Sequence, residues 1–199
     1  MEEPTVRSYR IRGSRITGPQ QAALDKHWDS YGIEQGVEKL DLTALFPDSS
    51  RIIMEIGFGM GETTAKIAAL RTDDDFLAIE VHPPGVGALL KLIGENQLTN
   101  LRLIRHDAVE VLEKMLPENS LDGIHIYFAD PWHKKRHHKR RLIQPEFVRI
   151  LAARLKQGGT IHCATDWENY AEQMFEVLSA EPTLENTATG YAERPAYRP

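Results

Sequence analysis

The chain has 199 residues, 41% of them hydrophobic, which is enough for one well-buried core and short for two. Its formal net charge of −5 excludes the general basicity of proteins that bind nucleic acid by charge alone. Cys163 is the only cysteine, which excludes an internal disulfide and a cysteine-based metal cage. No apolar run approaches the roughly 20 residues of a membrane span, and the first residues lack a signal-peptide pattern, so we expect a cytoplasmic protein.

The first segment is polar and rich in arginine. Residues 1–17 show no clear periodicity and are predicted to form a flexible basic arm, which Gly18-Pro19 ends. A helix is predicted over 20–31 and a short linking segment over 40–46. The arginines of the arm are Arg7, Arg10, Arg12 and Arg15.

Strict alternation of strands and helices begins at residue 51. Apolar runs predict strands over 51–56, 76–81, 101–104, 121–128 and 160–164. The segments after them predict helices over 62–70, 85–96, 108–115, 144–155 and 168–178. This order predicts a Rossmann-like α/β fold, with a mostly parallel central sheet and helices on both faces, in one domain over 18–199. Ligands of such sheets bind beyond the carboxyl ends of the strands.

Each predicted strand ends near a carboxylate, and the first also ends in a glycine loop. The carboxylates are Glu55, Glu80, Asp107, Asp130 and Asp166, and the glycines are Gly57, Gly59 and Gly61. The dinucleotide pattern G-x-G-x-x-G would place its third glycine at position 62, where this chain has Glu62. A negative charge at this position would repel the negatively charged pyrophosphate of a dinucleotide. The loop therefore favours a ligand with positive charge, such as the ammonium and sulfonium of S-adenosylmethionine.

Two of these carboxylates suit the nucleoside part of such a cofactor. Glu80 lies 23 residues after Gly57 (80 − 57), where a carboxylate accepts hydrogen bonds from a ribose diol. Asp107 and Ala108 lie where a carboxylate or a backbone carbonyl would read an adenine amino group. A nicotinamide dinucleotide would also use Glu80, so a nicotinamide-dependent oxidoreductase is one alternative.

The fourth strand runs into an acidic and aromatic element and then into a basic strip, residues 133–141. Asp130 and Trp132 together suit a planar polar group such as a nucleobase. Six of the nine residues in the basic strip are Lys or Arg, which suits a phosphate backbone. A non-catalytic RNA-binding module is therefore a second alternative, although it has no need of the glycine loop. The residues predicted to contact RNA are Trp132, Lys134, Arg136, His137, His138, Lys139, Arg140 and Arg141.

Several of these residues also have purely structural interpretations. Asp107 and Asp166 are each suited to cap the helix that follows, and Trp132 is suited to partly buried packing. Three histidines of the basic strip have a spacing found in metal sites. The neighbouring cationic side chains would repel a metal ion, and the sequence contains no H-E-x-x-H motif. No metal site is therefore predicted.

With these residues in place, the chain resembles the bacterial-type tRNA (guanine-N7-)-methyltransferases over nearly all of its length. Asp-Pro-Trp running into a basic strip is the most specific shared feature. The resemblance rests on Gln20-Gln21 with Tyr31-Gly32, MEIGFGMG, AIEVH, HDAVEVL, YFADPWHKKRHHKRRL, Gln144-Pro145-Glu146-Phe147 and Thr165-Asp166. It implies a class I methyltransferase fold and transfer of a methyl group from S-adenosylmethionine to N7 of a variable-loop guanine in tRNA, leaving S-adenosylhomocysteine.

The resemblance also implies roles for particular residues. Asp130 would be catalytic, Lys134 and Asp166 would contact substrate, and residues 136–141 would touch RNA. The family continues with a Thr-x-Phe-Glu element and a C-terminal strand pair, so we expect this chain to lack them. Monomer and homodimer both stay open. The side chains expected to contact the cofactor are those of Glu55, Glu80, Asp107 and Asp130.

Overall fold

Helices and strands alternate along the chain, and the computed structural model describes residues 8–9 and 15–198. The strands are β1 Gly32–Ile33, β2 Arg51–Ile56, β3 Asp74–Ile79, β4 Leu101–Ile104, β5 Leu121–Tyr127 and β6 Leu155–Ala164. The helices are α1 Gly18–Tyr31, α2 Leu42–Leu45, α3 Glu62–Leu70, α4 Pro83–Asn96, α5 Ala108–Glu110, α6 Pro145–Arg154 and α7 Glu168–Ser179. A π-helical turn, Val111–Met115, continues α5, and a 3-10 helix spans Lys135–Arg140.

The six strands form one sheet in the order β1-β4-β3-β2-β5-β6, and every neighbouring pair is parallel. The predicted parallel α/β fold is confirmed. Strand β1 is an addition to the five predicted strands. It pairs with β4 through Gly32 and Leu103, and its two residues are too few to show an apolar pattern.

Apolar side chains cover both faces of the sheet. Along β2, Ile53 and Met54 are both buried but enter different cores, as alternate side chains of a strand must. The core around Ile53 is closed by α1, α3 and α4. The core around Met54 is closed by α6, α7 and the π-helical turn. Because all six strands are parallel, their carboxyl ends meet at one edge of the sheet.

Three strands differ in their boundaries from the sequence prediction, and the smallest difference is in β5, which ends one residue early at Tyr127. Strand β3 starts and ends two residues early, so Glu80 is the first residue beyond it. Strand β6 begins at Leu155 and pairs with Leu121 across a register shift. The glycines at 158 and 159 interrupt its apolar pattern, which hides its first half in the sequence.

The predicted arm lies largely outside the described residues. Within it, the backbone carbonyl of Ser8 accepts a hydrogen bond of 2.9 Å from Nε1 of Trp132. In the part of the chain that the structure describes, no helix has the length and apolarity to cross a membrane. Within the same residues, no three His, Cys, Asp or Glu side chains are grouped to hold a metal ion.

Candidate active site

Three glycines between β2 and α3 adopt backbone conformations that other residues rarely take. Their φ angles are 76° at Gly57, 59° at Gly59 and 78° at Gly61. A Cβ at Gly61 would lie 2.6 Å from the Cβ of Leu89, whereas a Cβ at Gly57 or Gly59 would meet nothing within 4 Å. The loop therefore needs glycine for its turn and leaves open space for a ligand beside its first two glycines.

Glu80 follows β3, and backbone amides hold both of its carboxylate oxygens. Oε2 accepts a hydrogen bond from the amide of Gly59 (2.9 Å). Oε1 accepts hydrogen bonds from the amides of Val81 (2.7 Å) and His82 (3.0 Å). The carboxylate thus ties the glycine loop to the next strand end. Oε2 keeps a lone pair for a ribose hydroxyl, whereas the two amides occupy both lone pairs of Oε1.

Gly85, in the first turn of α4, belongs to the site although the sequence reasoning missed it. A Cβ at this position would overlap the carbonyl oxygen of Gly59, so α4 packs directly on the glycine loop. The available signal was a pair of glycines, Gly85 and Gly87, inside a predicted helix. Glycine weakens a helix, and its presence there indicates a close backbone approach.

Glu55 is buried at the end of β2, with 3% of its surface exposed. Burial raises the pKa of its carboxyl to about 7, and an interaction with Thr64 opposes part of that rise. Such a group exchanges its proton readily near neutral pH and becomes an anion when a cation approaches. It suits the ammonium group of a ligand that lies in the glycine loop.

Asp107 follows the end of β4 by three residues and lies at the same edge of the sheet as Glu80, because β3 and β4 are parallel neighbours whose last residues pair. Its Oδ1 accepts a hydrogen bond of 3.0 Å from the amide of Val109 and so caps α5. The structural interpretation of this residue is confirmed. The cap engages Oδ1, while Oδ2 has no recorded hydrogen bond among the described residues. Ala108, beside it, is buried.

Asp130 lies in a strained loop after β5. Phe128 and Trp132 flank it with φ angles of 54° and 47°, which are rare for bulky side chains. Such strain costs on the order of 1–3 kcal/mol per residue and concentrates at functional sites. Among the described residues, no hydrogen bond or ion pair is recorded for the exposed Asp130 carboxylate. The strained loop therefore presents a free negative charge at the edge of the sheet.

The ring of Trp132 is packed on several sides. The guanidinium carbon of Arg140 lies 4.1 Å from its ring centroid, and the ring of His137 meets it edge-on at 6.0 Å. Its Nε1 donates to Ser8, as described above. These contacts fit the partly buried packing role better than that of an open surface for a base.

The basic strip is folded as a 3-10 helix with most of its charges outward. His138 instead turns toward the core and places Nε2 3.0 Å from Nη2 of Arg141. The outward cations lie just beyond Asp130 in sequence, which supports the predicted phosphate-binding face. The exposed members of the basic strip are His133, Lys134, Lys135, Arg136 and Lys139.

The prediction that Arg141 contacts RNA is wrong. Its side chain is buried, with 2% of its surface exposed, and does not lie on the predicted RNA-binding surface. Its Nε donates to the carbonyl of Pro131 (2.8 Å), next to Asp130. Its Nη1 donates to Oε1 of Gln173 (2.7 Å) and its Nη2 to Oδ1 of Asn169 (3.0 Å), both on α7. The guanidinium also lies over the Tyr170 ring at 4.8 Å. Arg141 therefore connects the loop after β5 to α7.

The end of β6 brings Asp166 and Trp167 next to the loop that carries Asp130. The prediction that Asp166 caps α7 is wrong, since Trp167 is the cap residue and no side chain supplies a capping hydrogen bond. Asp166 is exposed. The site thus has two exposed carboxylates, Asp130 and Asp166, at neighbouring strand ends.

Comparison with known proteins identifies the family. The family described as "Putative methyltransferase" matches residues 49–198. A tRNA (guanine-N(7)-)-methyltransferase of Burkholderia mallei is 60% identical over 194 residues, which cover 98% of this chain and 74% of the relative. Another, from Cupriavidus metallidurans, is 62% identical over 197 residues, 98% of this chain and 75% of the relative. The chain belongs to the tRNA (guanine-N7)-methyltransferase family. The resemblance inferred from the sequence is confirmed, and the protein is a methyltransferase.

Solved structures agree with this fold. Precorrin-6y C5,15-methyltransferase from Geobacter metallireducens GS-15 aligns with a TM-score of 0.53 at 20% identity, over 69% of this chain and 65% of that one. The 16S rRNA methyltransferase KamB aligns with a TM-score of 0.53 at 16% identity, over 75% and 68%. At these identities the likeness concerns the fold alone, and it confirms the predicted Rossmann-like methyltransferase fold.

Proposed function

We propose that this chain transfers a methyl group from S-adenosylmethionine to N7 of a guanine in tRNA. The observation that carries the proposal is the juxtaposition of the glycine loop and its amide-held Glu80 with the Asp130 loop and the basic strip. A cofactor site and an RNA-binding surface then meet at one edge of the sheet. The names of the relatives at about 60% identity support the same substrate.

The residues present fit this cofactor. Glu80 would accept a hydrogen bond from a ribose hydroxyl through Oε2, Asp107 and Ala108 would read the adenine, and Glu55 would pair with the ammonium group. Glu62, the first residue of α3, places a negative charge where a nicotinamide dinucleotide would need to bind a pyrophosphate. The oxidoreductase alternative therefore ranks below the methyltransferase.

Methyl transfer to guanine N7 depends more on the positioning of the two reactants and on electrostatic stabilisation than on proton transfer. S-adenosylmethionine supplies an electrophilic methyl group on a sulfonium. Guanine N7 attacks that carbon with its in-plane lone pair, the carbon–sulfur bond breaks, and its electron pair stays on sulfur. No proton has to move, so proximity and orientation dominate.

The two exposed carboxylates suit opposite edges of the guanine. The edge that carries N7 and O6 has only acceptors, so a carboxylate beside it gains little until positive charge develops on the ring. Asp130 in this position would stabilise the transition state more than the bound substrate, which is the condition for catalysis. Asp166 would accept hydrogen bonds from N1–H and the amino group on the other edge.

The test of this function has two arms. Incubating the chain with unmodified tRNA and S-adenosylmethionine, followed by nuclease digestion and mass spectrometry, is expected to yield 7-methylguanosine. Calorimetric titration is expected to detect S-adenosylhomocysteine and not a nicotinamide dinucleotide. Cofactor binding without tRNA methylation contradicts the substrate. Binding of the dinucleotide alone would support the oxidoreductase, and binding of neither would support an RNA-binding module.

We predict that cofactor affinity depends on pH through Glu55. Its raised pKa of about 7 means that the carboxyl is neutral below that pH and must ionise to pair with an ammonium group. The affinity for S-adenosylhomocysteine is therefore expected to fall by up to about tenfold per pH unit below 7 and to level off above it. Calorimetry between pH 5.5 and 8.5 would measure this, at about half-unit steps.

A matched pair of variants separates Glu55 from other carboxylates in that experiment. Glu55→Gln is expected to bind more weakly and with a flat pH profile, because its amide cannot ionise. Glu38→Gln, which changes an exposed carboxylate away from the glycine loop, is expected to keep the wild-type profile. A flat profile in the unmodified protein would contradict the assignment.

We also predict that Gly85→Ala weakens cofactor binding. The new methyl group would overlap the Gly59 carbonyl and displace the glycine loop that Glu80 holds. The dissociation constant for S-adenosylhomocysteine is expected to rise by about tenfold or more, in line with the 1–3 kcal/mol cost of overpacking. Gly36→Ala is the control, since its Cβ would have no atom closer than 3.9 Å. Equal affinities in both variants would show that the loop does not depend on α4.

A further inference from the structure

Trp167, three residues after the end of β6, has a large exposed ring to which the proposed reaction assigns no role. It keeps 40% of its surface exposed. Its backbone is fixed, because its carbonyl accepts hydrogen bonds from the amides of Tyr170 (2.9 Å) and Ala171 (3.0 Å) in the first turn of α7. Its own amide donates to Oγ1 of Thr165 at 3.2 Å. The ring is therefore held at a defined place while remaining open to solvent.

The pairing of β5 with β6 places Trp167 beside the Asp130 loop. Tyr127 pairs with Ala164, and the amide of Phe128 donates to the carbonyl of Ala164 at 2.8 Å. Asp130 follows Tyr127 by three residues, and Trp167 follows Ala164 by three. The two side chains thus leave neighbouring parallel strands at equal distances along the chain.

The basic strip also reaches Trp167. The ring of His133, the first residue of the strip, meets it at 4.3 Å between centroids with an interplanar angle of 77°. This edge contact fixes one side of the indole. It also brings the start of the phosphate-binding face within one side chain of the ring.

Each of the other two aromatic rings of the site, those of Trp132 and Phe128, has a guanidinium group over it. Trp132 carries Arg140 over its ring and hydrogen bonds to Ser8. Phe128 is exposed, but the guanidinium of Arg198 lies 5.7 Å from its ring centroid. For Trp167, the contact with His133 is the one aromatic or cation contact recorded among the described residues.

We propose that Trp167 is the surface on which the target purine stacks when it leaves its own base stack. This inference rests on the proposed function. Exposed bases gain affinity by stacking on aromatic side chains, and such sites lie beside cationic grooves that follow the backbone. Asp166, directly before Trp167, lies where it would bind the polar edge of the stacked base.

Stacking on Trp167 would also affect how tightly the protein binds its methylated product. Methylation at N7 leaves a positive charge on the guanine ring, and indole is the aromatic side chain that attracts a cation over its face most strongly. Trp167 is therefore expected to hold 7-methylguanosine nucleotides more tightly than guanosine nucleotides.

The experiment compares Trp167→Phe and Trp167→Ala with Phe175→Ala. Phe175 is a suitable control because it lies on α7, the helix that begins directly after Trp167, and is 39% exposed. Titration with 7-methylguanosine monophosphate in the presence of S-adenosylhomocysteine is expected to quench the tryptophan fluorescence of the unmodified protein and of Phe175→Ala. Trp167→Phe is expected to lose that quenching while Trp28 and Trp132 still fluoresce.

Kinetics and cofactor binding complete the test. Trp167→Ala is expected to lower kcat/KM for tRNA by about tenfold or more, Trp167→Phe by less, and neither is expected to change S-adenosylhomocysteine affinity. Equal quenching in Trp167→Phe and the unmodified protein, or full kcat/KM in Trp167→Ala, would overturn the proposal. If the unmodified protein forms no 7-methylguanosine, the proposed function fails, and the quenching experiment alone decides the stacking surface.

Discussion

Asp130→Asn is expected to lower the single-turnover rate of tRNA methylation by about 10²- to 10³-fold. The asparagine keeps the shape of the side chain and removes its charge, so the loss reports on electrostatic stabilisation. Asp130 has no recorded partner among the described residues, so its replacement leaves no buried group unpaired. The dissociation constant for tRNA is expected to change only a few-fold.

Asp48→Asn provides the matched control for this result. Asp48 is an exposed carboxylate before β2, at the opposite end of the sheet from the site. Its replacement is expected to leave the rate unchanged, which separates a local effect from the change in net charge. A rate for Asp130→Asn within tenfold of the unmodified protein would show that this carboxylate is not catalytic.

Arg141→Ala is expected to destabilise the protein by about 3 kcal/mol or more, because it leaves several hydrogen-bond partners unpaired and a cavity against Tyr170. Denaturant unfolding measures this loss. Lys139→Ala, two residues earlier and exposed, is expected to change stability by less than about 0.5 kcal/mol.

Of these two variants, the one that is expected to keep its stability, Lys139→Ala, is the one expected to lose affinity for tRNA. Lys139→Ala should weaken tRNA binding and reduce the slope of log affinity against log salt by about one, because it removes a phosphate contact. In Arg141→Lys, which retains the charge but not the planar fork, we expect an unchanged slope, an intermediate stability and a lower kcat. A reduced slope with full stability in Arg141→Ala would restore Arg141 to the RNA-binding surface.

The fold and the cofactor side of the site were largely predictable from the sequence. Periodic apolar runs locate five strands, and the carboxyl ends of parallel strands necessarily meet at one edge. Glu80 and Asp107 therefore lie at the same edge of the sheet. At Asp107 the helix cap engages Oδ1 alone, so it is compatible with the predicted contact to the cofactor, which stays a prediction.

The RNA side was less predictable, because neighbouring residues in the basic strip have different surroundings. In the sequence Arg140 and Arg141 are equivalent cations. In the fold, one lies over Trp132 and the other is buried against α7, whose Asn169 and Gln173 come 28 and 32 residues later. No local pattern contains that information. For Gly85, the glycines in the predicted helix indicate a close backbone approach but do not identify its partner, the carbonyl of Gly59.

The hydrogen bonds of the Arg141 guanidinium also couple local unfolding of the Asp130 loop to local unfolding of α7. It donates hydrogen bonds both to the carbonyl of Pro131 and to two side chains of α7, so the Asp130 loop and α7 cannot move apart without breaking hydrogen bonds of this guanidinium. Local unfolding proceeds in cooperative units that share such contacts. We therefore expect the Asp130 loop and the first two turns of α7 to form a single unit of hydrogen exchange, so that the proposed catalytic carboxylate and the proposed stacking surface are gained or lost together.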